Sequence, residues 1–122
     1  MQWIDLAQGE KTFGDSETAR SMLDLFIGSL EQSSAQLQSL YNARHWQSLY
    51  EQVHSFHGAC CYSSTPILLS SVKQLHASLQ IIVQSKTEYN DDIHKSIGDH
   101  LKRVLNDISK TSAYYRDYFA NV

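Results

Sequence analysis

The sequence predicts an all-α chain: an antiparallel four-helix bundle with a short extra helix at its N-terminus. Three observations lead there. One proline and five glycines punctuate 122 residues, too few for the frequent turns of an all-β fold. Apolar residues recur at steps of three and four along almost the whole chain, which is the period of an amphipathic helix. The breaks between these stripes are short and carry helix-start chemistry. This length suits a single domain over 1–122, with the short helix over about 3–10 and the bundle over about 15–119.

The first helix is expected around Ile4 to Glu10, with Trp3, Ile4 and Leu6 as a lid on the core. Gly14-Asp15-Ser16 reads as a helix start, with Asp15 or Ser16 as N-cap. The next stripe is Ala19, Met22, Leu23, Phe26, Ile27, Leu30, Leu37, Leu40 and Tyr41. It implies one long helix to about Ala43, bent at most at Gly28-Ser29. Another helix begins near Arg44 to Trp46 and turns Trp46, Leu49, Tyr50, Val53, Phe56 and Cys60 to one side. Ser63-Ser64-Thr65 ends it. Pro66 suits the first turn of the helix that follows, with Ser64 or Thr65 capping. That helix carries Ile67, Leu68, Val72, Leu75, Leu79, Ile82 and Val83. The last is expected from about Thr87 to Phe119, on Tyr89, Ile93, Ile97, Leu101, Val104, Leu105, Ile108, Ala113, Tyr115 and Phe119. Its early acids, Asp91, Asp92 and Asp99, and later bases, Lys102, Arg103 and Lys110, follow the helix dipole, Asp117 excepted. Tyr114, Tyr115, Tyr118 and Phe119 are expected to pack its end.

Composition narrows the function. A formal net charge of −3, with no run of Lys or Arg, makes nucleic acid an unexpected partner. No apolar run approaches a membrane span, so direct membrane contact is not expected. The start lacks the basic-then-apolar pattern of a secretory leader. Cys60 and Cys61 are adjacent and form no disulfide framework, which points to a reducing, cytoplasmic setting. There is no GxGxxG and no GxxxxGK[ST], so phosphate chemistry here would draw on no ATP site of the chain's own. A nucleophile elbow for hydrolase chemistry is also missing.

The segment that carries chemistry is Val53-His54-Ser55-Phe56-His57-Gly58-Ala59-Cys60-Cys61-Tyr62. Gly58 falls inside a helical pattern, where glycine costs about 1 kcal/mol relative to alanine; such a position asks for a packing or functional reason. On a helical wheel His54 lies roughly 110° from the centre of the apolar stripe, at the edge of the exposed face. Gln47, Tyr50 and Glu51 flank it on one side, and His57, Gly58 and Cys61 on the other. The surface at i+4 from His54 therefore has no side chain, and another protein could approach the ring there. An exposed imidazole with a pKa near 6.5 is a competent nucleophile at neutral pH.

His54-Ser55-Phe56-His57-Gly58-Ala59 resembles the phosphoacceptor motif of histidine-containing phosphotransfer (HPt) domains: His, two residues of which the second is apolar, usually Lys, then Gly and small residues. The pattern of Trp46, Leu49, Val53-His54, the Tyr62 segment and Pro66 is similar to the HPt domain that ends BarA-type tripartite hybrid sensor histidine kinases. The resemblance covers most of the chain. It implies that His54 is the phosphoacceptor and that Gly58 leaves room for a partner. His57 stands where most members have Lys but where BarA-type members also tend to have His, and it is expected to stabilise phosphate. Cys61 and Ser64 stand where many members have glycine. His76 falls where members often have Gln or Glu facing the active histidine. Docking is expected on Gln47, Glu51, Ser55, Gly58 and Cys61. The implied function is a relay: His54 takes a phosphoryl group from a receiver-domain aspartate of a hybrid sensor kinase and passes it to a response-regulator aspartate. The domain needs no cofactor of its own, and Mg²⁺ is expected on the partner receiver. A monomer at the cytoplasmic end of an inner-membrane kinase is the implied setting.

Two other readings compete. A metal-binding bundle would use His54, His57, Cys60 and Cys61, whose N and S donors suit Zn²⁺. However, Cys60 belongs to the apolar stripe, and His94 and His100 share no helix face. A non-catalytic interaction module would tolerate loss of His54.

Overall fold

The computed structural model describes residues 2–85 and 90–119, and these are all-helical in character with no strand among them. Five helices follow one another: α1 (Leu6–Phe13), α2 (Ser16–Asn42), α3 (Trp46–Cys60), α4 (Pro66–Ser85) and α5 (Asp91–Tyr118).

The helix ends follow from side-chain chemistry. The Asp5 carboxylate accepts from the Gln8 N–H at 3.2 Å, so α1 starts just after it. Gly14, at φ 85°, ends α1 and donates its N–H to the Glu10 carbonyl. The first helix is therefore displaced from the expected 3–10, because Asp5 is a cap and not part of the helix. Of the expected lid, Ile4 is buried, and Trp3 and Leu6 are half-buried. Asp15, not Ser16, caps α2, accepting from the Thr18 N–H at 2.6 Å. α2 runs without interruption past Gly28-Ser29. Arg44 sits in the left-handed region at φ 58°. Its N–H reaches the Tyr41 carbonyl, and the His45 N–H reaches the Leu40 carbonyl. This pairing is a Schellman motif, and it closes α2.

Ser64 occupies the same left-handed region, at φ 63°, in the α3–α4 turn. Its carbonyl accepts from the Asp5 N–H at 2.8 Å. A side chain at Gly9 would run into the Ser64 hydroxyl and the Ala19 methyl. α1 is thereby braced against the α3–α4 turn as well as against α2. Asn90 caps α5, its side chain accepting from the Ile93 N–H at 2.9 Å. The last helix thus begins at Asp91; the expected start at Thr87, and Tyr89 of its stripe, lie outside the described residues.

Side-chain pairs join the helices. Tyr41 and Trp46 meet across the α2–α3 turn, and Phe26 stacks on Phe56 further along the same two helices. Tyr50 meets Gln84, and His54 meets His76. Gln74 meets Arg103, and Tyr41 meets His94. Arg20 and Asp24 at the start of α2 bond Phe119 and Tyr115 at the end of α5. These contacts join α2 to α3, α3 to α4, α4 to α5 and α5 to α2. Leu30, Leu37, Leu49, Val53, Leu68, Val72, Leu75, Leu79, Ile97, Leu101 and Val104 fill the space between them, all at most 2% exposed. Each such side chain contributes about 1.5–3 kcal/mol by leaving water. Of the terminal aromatics, Tyr115 stacks on Phe119 beneath the Arg20 guanidinium, whereas Tyr118 meets Tyr114 but stays 65% exposed.

Candidate functional site

Burial of Leu49, Val53, Phe56 and Cys60 fixes the rotation of α3. That rotation leaves Gln47, Glu51, His54, Ser55 and Gly58 exposed, and Tyr50 and His57 half-buried against α4. His76, half-buried on α4, lies among them. His54 Nδ1 and His76 Nε2 are 3.0 Å apart and share a proton. The His76 ring stacks on Tyr50 at 5.1 Å and on His57 at 5.6 Å. Three imidazoles and a phenol thus form one contiguous aromatic face across α3 and α4. The Gln84 amide donates to the Tyr50 hydroxyl at 3.4 Å. The Gln47 amide donates to Glu51 at 3.3 Å.

The cluster has definite protonation preferences. Burial, followed by the neighbouring His54 and His57 rings, holds the His76 pKa below its ordinary 6.5. Burial, the Lys73 ammonium and His54 do the same to His57. His76 is therefore neutral at pH 7, with one N–H and one acceptor nitrogen. When its Nε2 is the acceptor, His54 carries its proton on Nδ1, and the lone pair on His54 Nε2 has no partner among the described residues.

Gly58 is exposed, and a Cβ there would meet nothing within 4 Å. Packing among the described residues gives no reason for a glycine at this position. Gly28 is equally open, so openness alone is not diagnostic; Gly58 is distinguished by lying one turn from His54. Cys61 is exposed at the end of α3, while Cys60 is a core residue whose thiol pKa is pushed up by burial. The adjacent thiols therefore face different environments. Among the described residues, no group of three or more His, Cys, Asp or Glu is placed to hold a metal ion. No helix among them is long and apolar enough to cross a membrane.

The structure brings His54, His57 and His76 into contact and sets Gln47, Glu51, Ser55, Gly58 and Cys61 on the surface around or near them. Two neighbours were not singled out from the sequence. Tyr50 was read as part of the apolar stripe and as a flank of His54, although its place one turn before His54 was visible on the wheel. Lys73 is on a different helix from the motif, and only the α3–α4 register brings it near. In comparisons with protein-family models, curated proteins and solved structures, the chain matched none.

Proposed function

We propose that α2–α5 form the antiparallel four-helix bundle of an HPt domain, with α1 as its extra N-terminal helix, and that the protein is a phosphorelay intermediate. One observation carries the reading: an exposed His54 whose Nδ1 is held at 3.0 Å by His76, beside a glycine that the protein's own packing does not require. With His76 Nε2 as the acceptor of that bond, the reactive lone pair of His54 is on Nε2 of an exposed residue. Gly58 lets a partner backbone or side chain approach that atom.

The chemistry is in-line transfer between an acyl phosphate and an imidazole. His54 Nε2 attacks phosphorus, the P–O bond to the receiver aspartate breaks, and the carboxylate departs. His54 then carries an Nε2–P phosphoramidate whose ring charge is stabilised through the Nδ1–H bond to His76. Transfer onward is the reverse reaction on a response-regulator aspartate. Such transfers depend on positioning and charge neutralisation more than on covalent assistance from the protein. The receiver supplies Mg²⁺ and the acidic cluster; this chain supplies the nucleophile and the docking surface on Gln47, Glu51, Ser55, Gly58 and Cys61. His57 shields the phosphoryl group from the α3 side. The donor is the receiver domain of a hybrid sensor kinase, and the setting is the cytoplasmic side of the membrane that holds the kinase.

The test is transfer from a radiolabelled, aspartyl-phosphorylated receiver to the native chain and to His54→Gln. Acid-labile, base-stable label on the native chain alone is expected. Equal labelling of the variant, or no transfer from several receivers, overturns the reading.

A further inference from the structure

A phosphoryl group on His54 would bring two negative charges to a face with few cations. α3 has no Lys or Arg, and α4 has one, Lys73. The position of Lys73 follows from the antiparallel register: Tyr50 meets Gln84 and His54 meets His76. Residues three apart on a helix share a face, so Lys73 lies one turn from His76, alongside His57. Its charge acts on the His57 ring. Lys73 is exposed and makes no ion pair among the described residues. The one carboxylate on these two helices, Glu51, is at the other end of the cluster and bonded to Gln47. A lysine ammonium on a flexible four-carbon stem can swing toward a new anion without disturbing the helix.

We propose that Lys73 is the phosphoryl-binding cation of this site, its ammonium pairing with a phosphoryl oxygen on His54 Nε2. The proposal rests on the phosphorelay reading for its biological meaning, but its geometry is testable without a receiver. The site then takes a tetrahedral oxyanion between α3, which holds the imidazole, and α4, which delivers the charge. The basic element is thus supplied by the neighbouring helix, while the motif position on α3 is held by the less basic His57.

Potassium phosphoramidate provides the test. It transfers its phosphoryl group to an accessible imidazole: the P–N bond of the reagent breaks, ammonia leaves, and an Nε2–P bond forms. The ³¹P signal that is absent in His54→Gln identifies phospho-His54. Its chemical shift is then followed against pH in the native chain, in Lys73→Gln and in Lys73→Arg. The groups facing it are Tyr50, Glu51 and His57 from α3, and His76 and Lys73 from α4. We expect the phosphoryl titration midpoint of the native chain to lie at least about half a pH unit below that of Lys73→Gln. Lys73→Arg should restore the native value. Equal midpoints in all three overturn the proposal. Absence of any His54-dependent signal overturns it as well, because Nε2 is then not reachable. A midpoint shift together with no transfer from any receiver would uphold Lys73 as an oxyanion contact while the relay reading fails.

Discussion

At the scale of single residues, the His54–His76 pair decides what the site can do. On the phosphorelay reading His76 is a positioning residue: as acceptor of the 3.0 Å bond it would orient the His54 ring and hold its proton on Nδ1. Replacing it with Ala removes that constraint, whereas Gln offers an amide oxygen that can accept from Nδ1–H. His76→Ala should therefore slow transfer roughly ten- to a hundredfold, in line with the loss of an orienting partner on a reactive imidazole, and His76→Gln should recover much of it. ¹⁵N chemical shifts of His54 provide the independent readout, since a purely structural role for His76 would leave the tautomer unchanged. His54, His57 and Gly58 were legible in the sequence because they lie on one helix, where spacing alone fixes their relation. The bond to His76 was legible only through the family resemblance, and Lys73 not at all. Both depend on the register between two helices, which periodicity within each helix does not encode.

At the scale of the element, α3 carries a glycine in its interior at a cost of about 1 kcal/mol relative to alanine, with open space where the side chain would be. Gly58→Ala should raise stability by about that amount in urea denaturation; on the phosphorelay reading it should also reduce phosphotransfer roughly tenfold or more, because the added methyl group would stand in the proposed path of the partner. A variant that is more stable and equally active would remove Gly58 from the docking surface. The helix boundaries show a similar division in what could be read. Asp15 as a cap and Pro66 at a first turn carry local signals, and both elements start where those signals place them. The start of α1 was misplaced because Asp5 resembles an ordinary helix residue until its carboxylate is seen to accept from Gln8. The Schellman ending of α2 rests on a left-handed Arg44, a conformation for which arginine gives no sequence signal.

For the molecule as a whole, the cluster ties folding stability to pH. His57 and His76 both titrate below their ordinary value in the folded state. The unfolded chain therefore binds more protons over that interval, and stability rises with pH across it. The contribution is fully present above the unfolded value near 6.5 and is lost as pH falls through the lowered folded values. A urea midpoint measured from pH 7.5 down to 5 should decline, and the decline should flatten when His57 and His76 are both replaced by Gln. The four imidazole and phenol side chains that make up the site also belong to just two consecutive helices, and the His54–His76 contact spans only 22 residues of chain. Closing so short a loop costs little entropy, and contacts of low sequence separation form early in folding. The histidine face therefore depends on the contacts of one helical hairpin, and it should survive partial openings that release α5 from α2, as hydrogen exchange of α3 and α4 would show.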